Sequence, residues 1–243
     1  MPSSTIPKPT LFVLTPTIPR PVYRKAFEIE YTEPARYLEQ GEQTIISDPD
    51  ILVPLRNQGK GINHLSLIYD WLHTEFTQYS ARGGTIGEVT VDQLLSDRKL
   101  GGCHDYGLVF AAVVRELGYP AVMIDSYSIA WIEQFQQGEG DMHIGHVFVE
   151  VYLVDEWILV DPTNGWYVET GYNPSNPVIP LKGPIAGSSK EIYGFYVGLK
   201  GLDTWAYGIS SNTELTQAMD SMAPEIDLLS ITYPAYHFWH FSQ

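Results

Sequence analysis

The chain of 243 residues has a single cysteine, Cys103. One cysteine cannot form a disulfide within the chain, so disulfides do not hold this fold and no oxidising compartment is implied. A lone cysteine is most often a small buried apolar residue. Whether Cys103 is a packing residue or a reactive residue therefore has to be inferred from the residues around it.

Positive charge is also scarce, because 14 Lys and Arg residues stand against 29 Asp and Glu residues and leave a formal net charge of −15. A chain this acidic repels phosphate backbones and anionic lipid surfaces. We therefore expect neither nucleic acid nor a membrane as a partner. The oligomeric state stays open.

Long apolar runs are missing as well. No stretch approaches the roughly 20 apolar residues that span a bilayer, and the Pro-rich segment 1–22 lacks the apolar run of a signal peptide. We expect a cytoplasmic protein in which residues 1–22 form an extended arm and residues 23–243 a single domain. No acidic loop typical of a calcium site is present, and we expect no cofactor.

Apolar residues make up 44% of the chain and aromatic residues 13%, which is enough for a sizeable core. Apolar side chains recur at helical spacing over residues 61–79 and cover every face of residues 103–117, as is typical of a buried central helix. Thr90 and Gln93 fit the capping box of a short helix. Alternation and turn residues predict three strands and one loop. The strands are 121–129, 146–153 and 157–161, and the polar loop is 130–145.

Cys103 opens the predicted central helix directly after Gly101 and Gly102. Unpaired N–H groups at a helix N-terminus favour negative charge and lower the pKa of a thiol. The two glycines keep side chains away from the sulfur, so that a carbonyl can approach and the Cys103 N–H can bind an oxyanion. This pattern favours a nucleophilic cysteine.

His146 begins one predicted strand and Asp161 ends the next. In an antiparallel hairpin the start of one strand lies beside the end of the other, so the two side chains meet if they share a face. A carboxylate there would hold the imidazole in the orientation that a nucleophile–base–orienter triad requires.

Three blocks, Gly-Gly-Cys at 101–103, His-Val-Phe-Val-Glu-Val-Tyr at 146–152 and Trp-Ile-Leu-Val-Asp-Pro-Thr at 157–163, occur in this order. The sequence resembles the transglutaminase-like superfamily, a branch of the papain-like cysteine enzymes, over about residues 61–165. The resemblance implies an α+β fold in which a helix carrying the cysteine packs on an antiparallel sheet carrying His and Asp. It implies Cys103 as nucleophile, His146 as general base and Asp161 as orienter, with residues 166–243 as a C-terminal elaboration.

Two departures from the family pattern leave the triad untouched: His104 stands where papain-type enzymes often have Trp, and the strand reads His-Val-Phe where His-Ala-Trp is common. The residue that helps to bind the oxyanion or substrate is not identified by the resemblance. The candidates are Gly102, His104, Trp71 and Gln93, of which Trp71 and Gln93 are more simply packing or capping residues. His143 and His146 have metal-ligand types, but a site needs three or four convergent ligands, and we expect no metal.

The leading hypothesis is a cysteine enzyme that attacks an amide carbonyl and forms a thioester. Resolution by water would make it a protease, peptidase or amidase, and resolution by an amine would make it a transglutaminase or an amide-forming acyltransferase. The alternative of another class is an inactive domain that binds a peptide or protein in the same groove. An intact triad argues against that alternative, because a binding domain does not need all three residues.

Overall fold

The structure of the protein is a computed structural model, which describes residues 29–79, 84–139, 142–181 and 194–241. The arm predicted for residues 1–22 lies outside this range. The described chain contains five α-helices, four short 3-10 helices and nine strands. The α-helices are α1 (Ile62–Glu75), α2 (Val91–Asp97), α3 (Cys103–Glu116), α4 (Ile129–Gln136) and α5 (Asn212–Met222); the 3-10 helices are Pro34–Leu38, Glu42–Thr44, Pro49–Leu52 and Ala223–Glu225.

Seven of the strands form one antiparallel sheet in the order β7-β8-β3-β4-β5-β6-β9, and β1 and β2 form a separate parallel pair. The strands are β1 (Thr77–Gln78), β2 (Lys99–Leu100), β3 (Ala121–Ser128), β4 (Gly145–Leu153), β5 (Glu156–Asp161), β6 (Trp166–Val168), β7 (Val178–Ile179), β8 (Phe195–Gly201) and β9 (Trp239–His240). Helices and an antiparallel sheet in one fold agree with the predicted α+β class.

Helix α3 lies at the centre of the largest apolar cluster, as its sequence predicts. Every residue from Leu108 to Val114 is buried there, against α1, α2 and the facing side of the sheet. The helix approaches β4 so closely that a Cβ on Gly107 would lie 2.3 Å from Cγ1 of Val147. Glycine is therefore required at this crossing by lack of space.

Strands β4 and β5 form a hairpin whose turn residues, Val154 and Asp155, both have positive φ. Strand β5 begins one residue earlier than the predicted strand 157–161, because Glu156 already pairs with Leu153. Opposite residues of an antiparallel pair point to the same face. The pairing of Glu150 with Leu159 therefore puts the alternating residues that include His146 and Asp161 on one face of the sheet.

The sequence predicts a polar loop over residues 130–145. This prediction is wrong for the first half of the segment, which belongs to helix α4. Ser128 caps the helix by accepting a hydrogen bond from the Trp131 N–H. Trp131 and Ile132 are buried in a second apolar cluster, together with residues of α5. The short amphipathic pattern of α4 was not recognised in the sequence, because polar residues rich in Gln and Gly follow it directly.

The C-terminal third contributes more to the sheet than its sequence indicates. Strand β8 lies beside β3 in the interior of the sheet, and its Gly198 is necessary because a Cβ there would lie 2.4 Å from the ring of Tyr127. Glycines at such contacts weaken the strand pattern in the sequence. Ser211 caps α5 by accepting a hydrogen bond from the Glu214 N–H. In the described part of the chain, no helix is both long and apolar enough to cross a membrane.

Substitution of Gly107 by Ala tests the contact between α3 and β4. We expect Gly107→Ala to lower the free energy of unfolding by about 1–3 kcal/mol, because the new methyl group overpacks against Val147. Urea unfolding measures the change. In a Val147→Ala background the same substitution should be neutral or stabilising by up to about 1 kcal/mol, since alanine is the better helix former. An equal loss in both backgrounds would contradict the steric explanation.

Candidate active site

Cys103 is the first residue of α3, and the residue as a whole is half-buried. Gly102 precedes it in a fully extended conformation, with φ −171° and ψ −170°. The first N–H groups of a helix have no partner within the helix. The sulfur therefore lies at a helix terminus that is electropositive.

Asp105 holds the backbone that leads into Cys103. Its Oδ2 accepts the Gly101 N–H at 2.7 Å, and its Oδ1 accepts the N–H and hydroxyl of Thr85 at 2.8 and 2.9 Å. Gly84 has φ +94° and leaves no space for a Cβ beside this carboxylate. Asp105 thus closes the helix start, one of the two roles that its position next to the cysteine suggests.

His146 and Asp161 meet across the hairpin, with 2.9 Å between Nε2 and Oδ2 and with only 4% and 3% of their side chains exposed. Nε2 donates to the carboxylate, so Nδ1 is the nitrogen left for Cys103, and a hydrogen bond links His146 with the Cys103 thiol. The structure thus brings the three residues of the predicted triad into one hydrogen-bonded series.

The charges of this series stabilise one another. Burial alone would lower the pKa of His146, but the Asp161 carboxylate and the Cys103 thiol outweigh it and raise that pKa to about 10. Burial raises the pKa of the Cys103 thiol, yet His146 and then His104 lower it more, so that the net pKa lies below the usual value. The arrangement favours a thiolate beside an imidazolium, which is the reactive form of a cysteine.

Asn164 supports this pair, a role that the sequence analysis missed. Its Nδ2 donates to Asp161 Oδ2 at 2.8 Å, while the backbone N–H groups of Thr163 and Asn164 donate to Oδ1, both at 3.0 Å. Burial raises the pKa of Asp161, but His146 and the two hydrogen bonds from Asn164 lower it by more. The net pKa of Asp161 is therefore below its usual value. The run Asp-Pro-Thr-Asn, in which an Asp side chain can accept from the next backbone N–H groups, was the available signal.

Helix α1 and aromatic side chains enclose the hairpin end. His73 Nε2 lies 3.0 Å from the Pro162 carbonyl oxygen, and the ring of Tyr69 lies against Gly165, which has φ +74°. Phe148 and Phe195 pack on the His146 ring, with centroids 4.8 and 5.7 Å away. These contacts keep water from the imidazole and the carboxylate.

The remaining candidates have different surroundings. The Trp71 ring packs against Phe76 in the core and beneath the Arg98 guanidinium. Gln93 is exposed on α2, where its backbone N–H donates to the Thr90 hydroxyl. Both residues therefore make the packing and capping contacts that were the simpler interpretation. His104, by contrast, is buried beside Cys103 and pairs with Asp125.

His143 does not share a ligand set with His146. Its Nε2 lies 2.6 Å from Asp220 Oδ1 on α5. Within the described ranges, no group of three or more His, Cys, Asp or Glu side chains could hold a metal ion.

Residues 53–162 match the family model of the transglutaminase-like superfamily. This region contains all three sequence blocks, so the resemblance inferred from them is confirmed, and with it the fold class. The match supports a cysteine-dependent enzyme at the level of the family. It does not assign an activity or individual residues.

Individual proteins are more distant. The uncharacterised protein YebA of Bacillus subtilis (strain 168) is 23% identical over 147 residues, which are 56% of this chain and 20% of YebA. A candidate cysteine protease from Cytophaga hutchinsonii is 18% identical, with a TM-score of 0.48 over 74% of this chain and 52% of its own. The periplasmic domain of TgpA from Pseudomonas aeruginosa is 20% identical, with a TM-score of 0.39 over 56% and 50%. The chain thus spans a fifth of YebA and about half of each solved structure.

The pH dependence of alkylation tests the charges at this site. Iodoacetamide is neutral and reacts with the thiolate, so its rate with Cys103 should reach a plateau with a midpoint below the reference thiol pKa of about 8.5. Asp161→Asn should raise this midpoint by about 1 unit or more, because the imidazolium loses its carboxylate. Asn164→Ala should raise it by less than about 1 unit, since it removes a single hydrogen bond.

Thr163→Ala is the matched control, because the backbone N–H that Thr163 donates to Asp161 is retained. Its midpoint should equal that of the unsubstituted chain. A midpoint in Asp161→Asn that does not move would show that the carboxylate does not influence the thiol.

Proposed function

We propose that this chain, whose residues 53–162 match the transglutaminase-like superfamily, is a cysteine-dependent amide hydrolase acting on a peptide or protein through a thioester intermediate. Cys103 is the nucleophile, His146 the general base and acid, and Asp161 the orienter. The observation that carries this proposal is the continuous hydrogen-bonded series from the Cys103 thiol through the buried imidazole to the buried carboxylate.

In the first step the Cys103 thiolate attacks the amide carbonyl carbon. A C–S bond forms, and the carbonyl π electrons move to the oxygen, where the Cys103 backbone N–H stabilises the negative charge. His146 then gives its proton to the amide nitrogen as the C–N bond breaks. The amine leaves, and Cys103 carries the acyl group as a thioester.

In the second step a water molecule resolves the thioester. His146, now neutral, takes a proton from the water while the oxygen attacks the carbonyl carbon. The C–S bond breaks, the carboxylic acid leaves, and the thiolate and imidazolium are restored. Asp161 keeps Nε2 of His146 occupied in both steps, so that Nδ1 is always the nitrogen that transfers the proton.

We propose water as the acceptor. Amine transfer requires in addition that water be kept from the thioester, and Cys103 at the start of α3 is only half-buried. A primary amine would follow the same chemistry in place of water, with an amide as the product.

Mass spectrometry of Cys103 tests both the activity and the acceptor. We expect incubation with a peptide library to add acyl fragments to Cys103, and in H₂¹⁸O the released acids should gain one heavy oxygen. Adding a primary amine should not replace the acids by amides. Cys103→Ala should lose the adducts and at least about 10³-fold of the product formation, because the covalent route is absent.

Two results would contradict the proposal. If Cys103→Ala forms as much product as the unsubstituted chain, Cys103 is not the nucleophile. Binding of peptides without any adduct or product would favour an inactive binding domain. Amides as the main product with the amine would replace hydrolysis by amine transfer at the same cysteine.

A further inference from the structure

A second buried His–Asp pair lies next to Cys103, and the mechanism above does not use it. His104 Nε2 lies 2.7 Å from Asp125 Oδ1, with 5% and 3% of the two side chains exposed. The other oxygen of Asp125 accepts a hydrogen bond from the Tyr207 hydroxyl, which is also buried. The beginning of α3, strand β3 and the segment after β8 are thus joined by one polar series.

The Asp125 carboxylate favours the charged form of His104. Burial would lower the pKa of His104, but Asp125 outweighs it, with smaller contributions from Cys103 and Asp105, and the net pKa is raised. A buried carboxylate without a cationic partner would be costly, so the pairing stabilises both charges. Tyr207 orients the carboxylate by its hydrogen bond, and Asp203 adds further negative charge near that hydroxyl.

The Nδ1 atom of His104 is buried and has no hydrogen-bond partner among the described residues. An unpaired buried polar group costs about 1–3 kcal/mol, so each one calls for an explanation. His104 adjoins Cys103 in the chain, and its charge acts on the sulfur. The imidazole with the unpaired atom thus acts on the residue at which the proposed reaction develops negative charge.

We propose that His104 is a positioning residue of the active site, which Asp125 holds as an imidazolium so that its charge stabilises the anions formed at Cys103. The inference rests on the proposed function, because those anions are the thiolate and the oxyanion of acyl transfer. His146 gives up its proton to the leaving amine. His104 has no such task and keeps a positive charge at the site throughout the cycle.

Three substitutions in the full chain test this role, with the pH profile of Cys103 alkylation by iodoacetamide as the measurement. His104→Gln keeps a polar group that can reach Asp125 but removes the charge, and it should raise the midpoint by about 1 unit. Asp125→Asn should also raise it, because His104 then loses its proton. Tyr207→Phe keeps the ion pair and should lower the melting temperature without raising the midpoint.

The direction of the midpoint shift in Asp125→Asn shows whether His104 acts on the Cys103 thiol. The Asp125 carboxylate by itself raises the pKa of the Cys103 thiol, so its removal would lower the midpoint if His104 had no part. A lower midpoint in Asp125→Asn, or an unchanged one in His104→Gln, overturns the inference. Thermal unfolding verifies that each variant is folded, and if His104→Gln does not fold, the sign of the Asp125→Asn shift decides.

The unsubstituted chain separates the two proposals. A midpoint near the reference thiol pKa of about 8.5 would overturn the proposed function, whatever the variants do. A midpoint well below that value, together with no rise in either variant, would leave the Cys103–His146–Asp161 series intact and remove only the role of His104.

Discussion

The contact between helix α3 and strand β4 decides where the reactive groups lie. Gly107 has no room for a side chain because Val147 lies directly against it. Cys103 is one helical turn before Gly107, and His146 is the residue before Val147. The packing of α3 on β4 at this point therefore sets the separation of Cys103 and His146.

Burial and charge are balanced around that crossing. The carboxylates of Asp161 and Asp125, and the imidazoles of His146 and His104, are nearly excluded from solvent, and each carboxylate has an imidazole partner. Buried charges are tolerated only when they are paired and hydrogen-bonded. Both imidazoles lower the pKa of the Cys103 thiol, so the two ion pairs act on the same sulfur.

Local patterns predicted the elements that carry the site. Helix α3 was evident from its apolar run, and the β4–β5 hairpin from its alternation, because both signals depend on neighbouring residues. Helix α4 was missed, since its short pattern merges into polar residues, and so was β8, whose Gly198 makes room for the Tyr127 ring. The residue types of Trp71 and Gln93 made them candidates for binding the oxyanion or the substrate. Their contacts in the structure are those of packing and capping.

The sequence by itself determined the reactive residue types, their order and the local elements on which they stand, since helix caps and strand alternation act over a few residues. Tertiary structure decided which nitrogen of His146 meets Asp161, that Asn164 supports the carboxylate, and that His104 is held by Asp125. Asp125 and Tyr207 are 82 positions apart in the chain. Such contacts depend on how distant elements pack, and no periodicity or motif encodes the angle and distance at which they meet.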